Sequence, residues 1–261
     1  MRTMLRYRFL FEQMVRRELR QRYKGSALGI LWYLINPLAL MAAYGLIFSV
    51  LLKSPVAVHD YLLFLFVGLI VWTFFSQALL AAASSLVDQA SLVGKVRFPR
   101  ETVPASAVAV QMVTFAVLLA LVTPVAIAVR GADPALLLLV PVVACLFCFA
   151  LGLGLIVSVA HAHFRDVQPV LAAALLPWFF LTPIFFRVSD LPGLSGHRWA
   201  ETVLRWVNPV APFIEAVRAP LYDSTAPSAA TLAYVAVAAA VALGAGLLVF
   251  RRFERELAVV L

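Results

Sequence analysis

The chain has 261 residues, of which 64% are hydrophobic and 13% are charged, and its formal net charge is +8. Soluble domains carry about 25% charged and about 45–50% apolar residues, so this composition excludes a water-soluble enzyme. The basic residues flank apolar runs instead of forming a separate domain, and this placement excludes the nucleic-acid binding that a basic chain otherwise indicates.

Residues 1–24 are predicted to form an amphipathic helix that lies in the membrane interface. On a helical wheel Phe11 and Met14 share one face, and basic residues lie opposite. The densest cations come at the end of this segment, at Arg20, Arg22 and Lys24. Two interpretations stay open: these cations anchor the helix to anionic lipid, or they form a gate beside a phosphate-bearing substrate.

The rest of the chain, residues 25–261, is predicted to be one transmembrane domain. Six uncharged runs of 20 to 28 residues each reach the roughly 20 apolar residues that cross about 30 Å of hydrocarbon as a helix. The predicted fold class is therefore an all-α membrane protein with six transmembrane helices. The predicted spans are about 27–52, 61–87, 102–129, 134–160, 167–186 and 226–250.

The distribution of basic residues predicts the orientation of these spans. With six spans, the N-terminus, residues 88–101, residues 161–166 and the C-terminal tail share one side and hold 15 Lys and Arg residues. The other side holds six. Because Lys and Arg are enriched in cytoplasmic segments, both termini are expected in the cytoplasm and residues 187–223 outside.

Aromatic residues lie within three of the predicted spans, near the start of the first and at the centres of the second and fifth. A tryptophan at mid-depth is not explained by the aromatic belt at the membrane surface. It either packs helix against helix or lines a pathway in which its ring stacks on a sugar. Under the second interpretation the channel-lining residues are Trp32, Tyr33, Trp72, Phe75, Trp178 and Phe179.

The cytoplasmic link at residues 88–101 mixes exposed apolar residues with cations. A merely solvated loop does not need Val93 or Phe98, and apolar side chains rimmed by charge are typical of a docking surface. The link is therefore expected to bind a partner protein. Its candidate contact residues are Val93, Lys95, Arg97, Phe98, Arg100 and Glu101.

The outer segment at residues 187–223 is too long for a turn but contains no full span. Apolar residues recur at helical spacing on both sides of Asn208-Pro209, which breaks the pattern. Two short amphipathic helices at 198–222, lying on or dipping into the outer leaflet, are predicted.

The sequence lacks the residues that several other functions of membrane proteins require. The chain has no G-x-x-x-x-G-K-[ST] phosphate loop, so it is not expected to hydrolyse ATP itself. The hydrophobic centres of the six runs lack Asp, Glu, Lys, Arg and His, which argues against an ion-coupled transporter. Cys145 and Cys148 lie within the fourth run and are expected to pack between helices. His161, His163 and Asp166 form only a thin cluster, and no metal site is predicted.

Four motifs in order resemble the membrane subunits of type-2 ABC exporters for lipid-linked polysaccharides, a group that includes O-antigen, teichoic-acid and galactan permeases. The likeness covers almost the whole chain. The motifs are Arg22-Tyr23-Lys24-Gly25-Ser26-Ala27-Leu28-Gly29-Ile30-Leu31-Trp32 with Asn36-Pro37; Phe98-Pro99-Arg100-Glu101 with Pro104; Phe164-Arg165-Asp166-Val167; and Thr182-Pro183-Ile184-Phe185 with Asn208-Pro209 and Arg218.

The resemblance implies a homodimer of permeases in a bacterial cytoplasmic membrane, working with two copies of a separate ATPase subunit that binds ATP and Mg²⁺; no cofactor is expected in this chain. It implies that residues 88–101 couple to the ATPase and that the cargo is a polyprenyl-diphosphate-linked polysaccharide. The diphosphate is then expected at Arg20, Arg22 and Lys24. The alternatives are a drug or small-lipid exporter of the same fold and a membrane-bound glycan transferase.

Overall fold

The computed structural model of the protein describes residues 8–23, 32–47, 60–91, 98–188, 199, 202–254 and 256, and these residues form helices and connections without a β-strand. The α-helices are α1 (Arg8–Tyr23), α2 (Trp32–Gly45), α3 (Tyr61–Asp88), α4 (Thr102–Arg130), α5 (Leu139–His163), α6 (Val167–Leu181), α7 (Ala211–Arg218) and α8 (Ala229–Phe253). A 3₁₀ turn, Pro134–Leu138, leads into α5, and π-helical turns at Val203–Val207 and Ala219–Asp223 flank α7.

Four of these helical segments are long and apolar enough to cross a membrane: α3, α4, the continuous segment 134–163 and α8. They fall at four of the six predicted spans. The other two predicted spans contain shorter helices, since α2 has 14 described residues and α6 has 15. At 1.5 Å per residue, 15 residues extend about 22 Å, which is less than the thickness of the hydrocarbon.

Helix α3 is the centre of the bundle. In its most apolar window 83% of the residues are buried, compared with 22% for both α4 and α8. It packs against α2, α4, α5, α6 and α7. Because neighbours surround α3 on all sides, the side chains of its central aromatic and aliphatic residues belong to the core of a single chain.

Helices α5 and α8 approach each other at two glycines. A Cβ atom built on Gly152 would lie 2.2 Å from the backbone carbon of Ala242, and one built on Gly246 would lie 2.2 Å from the carbonyl oxygen of Gly152. Small residues at such a crossing let two helix backbones come into contact, as is common in membrane proteins. The two helices therefore pack as a close pair.

Helix α6 ends earlier than the predicted span at 167–186. It stops at Leu181, and Thr182 has an extended backbone with φ −92° and ψ 136°. Thr182 precedes Pro183, and the residue before a proline is disfavoured in the helical region. The proline therefore explains why the apolar run continues to Phe186 while the helix does not.

The apolar face of α7 is buried against the protein itself. Phe213, Ile214 and Val217 are all 0% exposed, and α7 packs against α3, α5 and α8. The end of the bundle therefore covers the apolar face of α7, and the position of residues 198–222 at the outer leaflet stays a prediction.

Candidate functional site

The described residues of the sequence motifs lie at two opposite ends of the bundle. One, called the Phe98 end, contains α1, the start of α4 and the ends of α5 and α8. The other, called the Arg218 end, contains the start of α3, the end of α6 and all of α7. A cluster of aromatic rings lies between them, along α3 and α6.

At the Phe98 end, the beginning of α4 is tied to the end of α8. The side chain of Arg100 donates from Nη1 to the carbonyl oxygen of Glu254 at 2.6 Å. Glu101 precedes the first turn of α4, where its carbonyl accepts from the Ala105 N–H at 3.2 Å. The structure thus brings the end of the predicted coupling link next to the C-terminal end of the last helix.

Phe98 is not an exposed side chain. It is 8% exposed and belongs to a buried cluster with Met14 of α1, Leu86 of α3 and Phe250 of α8. The ring is therefore covered by the chain's own helices and is less exposed than the sequence predicts, and its role in ATPase coupling stays a prediction. Val93, Lys95 and Arg97 lie outside the described residues, so their coupling role stays a prediction.

Helix α1 has the amphipathic character that the sequence predicts. Met14 is buried, Arg16 and Arg20 are exposed, and the helix packs against α4. Of the proposed diphosphate-binding cations, only the side chain of Arg20 is described. The description of Arg22 extends to its backbone alone, and Lys24 lies outside the described residues.

The aromatic residues of α3 and α6 form one packed cluster. The Trp72 ring meets Trp178 edge to face with centroids 6.0 Å apart, and it lies 5.7 Å from Phe179. Phe75 contacts Trp178 at 5.4 Å and Phe149 of α5 at 5.9 Å. Two aromatic pairs that are far apart in sequence, Trp72 with Phe75 and Trp178 with Phe179, therefore come together in the structure.

Three of these four predicted channel residues are buried. Trp72, Phe75 and Phe179 are 6%, 0% and 7% exposed, which favours helix–helix packing for these side chains, and their channel-lining role stays a prediction. Trp178 is half-buried and stays a lining candidate. For Trp32 and Tyr33 the description covers the backbone in α2 and not the side chains.

At the Arg218 end a buried arginine joins three parts of the chain. Arg218 is 6% exposed. It donates from Nε to the Phe64 carbonyl at 3.2 Å, from Nη1 to the Pro183 carbonyl at 2.6 Å and from Nη2 to the Ile184 carbonyl at 2.6 Å. The guanidinium also lies 3.6 Å from the centre of the Phe64 ring. Arg218 thus fixes the segment after α6 to the start of α3.

Gly68 makes room for this arginine. A Cβ atom at position 68 would lie 2.3 Å from Nη2 of Arg218, so a larger residue would occupy the space of the guanidinium. Burial, followed by the charge of Arg187, lowers the pKa of Arg218 to about 9, and Asp223 opposes this shift. With that pKa the side chain is still a cation at neutral pH.

Asn208 holds the same segment from the other side. Its Oδ1 accepts from Trp178 Nε1 at 3.1 Å and from the Val210 N–H at 3.1 Å, while its Nδ2 donates to Thr182 Oγ1 at 2.9 Å. The motifs at 182–185, 208–209 and 218, which are separate in sequence, are therefore one hydrogen-bonded assembly in the structure.

A cavity of about 290 Å³ opens beside this assembly. Arg205 bonds to both carboxylate oxygens of Glu215, at 2.7 and 3.2 Å, and Arg187 pairs with Asp223. The wall of the cavity consists of Phe64, Pro183, Phe186, Arg187, Val188, Arg205, Ala211, Ile214, Glu215, Arg218 and Asp223. Among the described residues, this places three guanidinium groups around one small space.

The comparisons with known proteins agree with this architecture. A family model described as the ABC-2 type transporter matches residues 10–222. The chain belongs to this family. The matched region runs from α1 through α7 and so includes the Arg218 end, the aromatic cluster and all of the Phe98 end except the end of α8.

The relatives that match the chain are named as export permeases or as a transport protein. The chain is 32% identical over 258 residues to the O-antigen export system permease protein RfbA of Myxococcus xanthus, covering 98% of this chain and 97% of that protein. It is 29% identical to the protein of the same name from Klebsiella pneumoniae, covering 76% and 80%. It is 26% identical to the polysialic acid transport protein KpsM of Escherichia coli, covering 94% of each chain.

Sequence reasoning found the motifs at the Arg218 end but not what they do. A signal was present, since Arg218 follows directly on the apolar stripe that contains Phe213, Ile214 and Val217. An arginine next to a buried stripe must find hydrogen-bond acceptors. The free carbonyls that follow the end of α6 at Pro183 supply them.

Proposed function

We propose that the chain is the permease subunit of an ABC transporter that exports a polyprenyl-diphosphate-linked polysaccharide, and that a separate ATPase subunit powers it. The observation that carries this proposal is the 32% identity to an O-antigen export permease over nearly the full length of both chains. Membership of the ABC-2 family and the four apolar helices that can span a membrane support the transport role.

The assembly in this proposal is a homodimer with two ATPase subunits in the bacterial cytoplasmic membrane, with ATP and Mg²⁺ bound by the ATPases. Each permease has six spans, of which α2 and α6 belong to the first and fifth, and both termini are cytoplasmic. The excess of Lys and Arg at the Phe98 end supports this orientation. The ATPase then docks at residues 88–101, near the contact between Arg100 and Glu254.

The cargo is expected to be recognised by its diphosphate in the cytoplasmic leaflet. Arg20 is an exposed cation on α1, and it lies in sequence beside Arg22 and Lys24. Arginine binds phosphate oxygens with two parallel hydrogen bonds, which lysine cannot reproduce. A long polymer then follows a pathway between the two permeases, along which Trp178 is the described aromatic candidate.

Depletion of the chain in its own bacterium tests the proposal. If the chain exports a lipid-linked polysaccharide, depletion makes the lipid-linked polymer accumulate on the cytoplasmic face, while surface polymer falls. Restoring the chain reverses both effects. Normal surface polymer without accumulation refutes the cargo, and in that case efflux of a fluorescent amphiphile tests the drug or small-lipid alternative.

Reconstitution tests the division of labour between subunits. The purified permease is expected to hydrolyse no ATP, because its sequence has no phosphate loop. Adding the separate ATPase subunit is expected to give hydrolysis and a complex with equal numbers of the two subunits. Hydrolysis by the permease alone, at the rate of the complex, contradicts the proposal.

A further inference from the structure

The cavity at the Arg218 end carries unequal numbers of positive and negative side chains. Its described wall includes three arginines and two carboxylates. Each carboxylate is bonded to an exposed arginine, Asp223 to Arg187 and Glu215 to Arg205. The wall therefore holds one positive charge more than its own carboxylates neutralise, and the arginine outside these two pairs is the buried Arg218.

The surroundings of Arg218 are suited to an anion. A guanidinium has five N–H groups, and three of those on Arg218 donate to carbonyl oxygens, which leaves two without a bond to the described residues. Carbonyls solvate a cation but do not neutralise it. Arg187 and Arg205 are 37% and 39% exposed, so their side chains can also reach a group that enters the cavity.

The rest of the wall is apolar and lies next to exposed apolar surface. Phe186 and Ile214 line the cavity, and Phe180 and Leu181 nearby in sequence are 55% and 60% exposed. A lipid chain can lie along such a surface while its headgroup turns inward. The volume of about 290 Å³ is at the lower end of ligand pockets, which suits a single headgroup and not a chain of sugars.

From the charge, the two N–H groups of Arg218 that bond to no described residue and the adjoining apolar surface, we infer that this cavity binds the phosphate group of a membrane lipid. The planar fork of arginine matches phosphate oxygens, and an anion there neutralises the charge of Arg218. The phosphate has two possible sources: a phospholipid that stays in the membrane, or the diphosphate of the transported lipid. The inference goes beyond the proposed function, since a phosphate site exists whether or not polysaccharide is the cargo.

Lipid binding to the full-length permease, purified in detergent, tests this inference by native mass spectrometry. Phosphatidylglycerol is compared with diacylglycerol, and undecaprenyl diphosphate with undecaprenol, so that each pair differs in its phosphate-bearing headgroup. We expect at least about tenfold tighter binding of one phosphate-bearing lipid than of its phosphate-free counterpart. Preference for phosphatidylglycerol identifies a resident lipid, and preference for undecaprenyl diphosphate identifies the cargo. Equal binding within both pairs overturns the inference.

Matched variants place the phosphate in this cavity. Val188 is a half-buried residue of the wall, and Val188→Glu gives Arg218 an internal carboxylate, so affinity for the phosphate lipid is expected to fall at least about tenfold. Val188→Gln has a similar shape without the charge and should stay within about threefold of the original chain. Val203→Glu adds the same charge at an exposed position outside the wall.

These variants also separate the outcomes. Equal loss of affinity in Val188→Glu and Val203→Glu shows that surface charge alone attracts the lipid and overturns the assignment to the cavity. Retention of affinity in Val188→Glu overturns it as well. Thermal unfolding of each variant shows that it is folded, and the assay involves no export, so its result is independent of the proposed function.

Discussion

A single added methyl group at the crossing of α5 and α8 is expected to destabilise the protein. In Gly152→Ala the new Cβ atom begins 2.2 Å from the backbone carbon of Ala242, whereas ordinary contact starts at 3.4 Å. The two helices must therefore separate by roughly 1.2 Å, since the obstacle is backbone that cannot rotate away. A gap of about 0.5–1 Å already loses a quarter to a half of the attraction between packed atoms.

Gly244→Ala is the matched control for this change. Gly244 lies on α8 as well, but no atom lies within 4 Å of the position of its added Cβ. Replacing glycine by alanine inside a helix gains about 1 kcal/mol in helix propensity, and both variants share this gain. Their difference therefore isolates the cost of overpacking, which is about 1–3 kcal/mol.

Thermal unfolding of the detergent-purified variants measures this difference. At about 2–4 °C per kcal/mol for a chain of this size, Gly152→Ala should unfold about 2–12 °C below Gly244→Ala. Adding Gly246→Ala to Gly152→Ala should lower Tm by less than the sum of the single changes, because both open the same crossing. Equal Tm values for Gly152→Ala and Gly244→Ala refute the argument from close contact.

Three further predictions concern the two ends of the bundle. Phe98→Ala should cost about 3–5 kcal/mol because the ring is buried, so Tm and membrane abundance fall together. The same change at Phe164, which is 71% exposed, should leave Tm within about 2 °C, and equal effects at the two positions contradict the burial of Phe98. Arg218→Lys should lower Tm more than Arg205→Lys, since one ammonium group cannot replace the guanidinium that donates to the carbonyls of both Pro183 and Ile184. An unchanged Tm in Arg218→Lys disproves this role of the guanidinium. The double change Arg20→Lys, Arg22→Lys keeps the attraction to anionic lipid but loses bidentate phosphate binding. Polysaccharide export should therefore fall, while insertion of the permease into the membrane and its binding to the ATPase persist. Export at the original rate would leave only the interpretation that these cations anchor α1 to lipid.

The sequence was sufficient to predict the long apolar helices but not which of them is central. Runs of more than 20 apolar residues predict α3, α4, the segment 134–163 and α8, because the cost of burying backbone in lipid makes helix the available structure. How deeply each helix is buried within the bundle does not follow from its apolar length. Of the four, α3 has the lowest mean hydropathy and the most buried surface, since hydropathy does not distinguish a neighbouring helix from lipid.

For the candidate functional residues, too, some features can be predicted from sequence and others cannot. The amphipathic pattern of α1 and the mid-span positions of Trp72, Phe75, Trp178 and Phe179 can be predicted, since the first follows from helical spacing and the second from their places in the apolar runs. The direction in which an aromatic ring or Phe98 faces cannot, because it depends on which helices lie alongside. Nor can the cavity beside Arg218 be predicted from sequence, because its wall joins residues up to 159 positions apart, from Phe64 to Asp223.

The enclosure of α3 also sets how the chain can diverge during evolution. A residue that faces lipid can be exchanged for another of different size, since lipid chains rearrange around it, whereas a residue packed on every side can change only with its neighbours. Homologous exporters should therefore accumulate single substitutions on the outer faces of α4 and α8. Along α3 they should change in compensating pairs that keep the summed side-chain volume constant, so an alignment should show correlated positions there and independent ones outside.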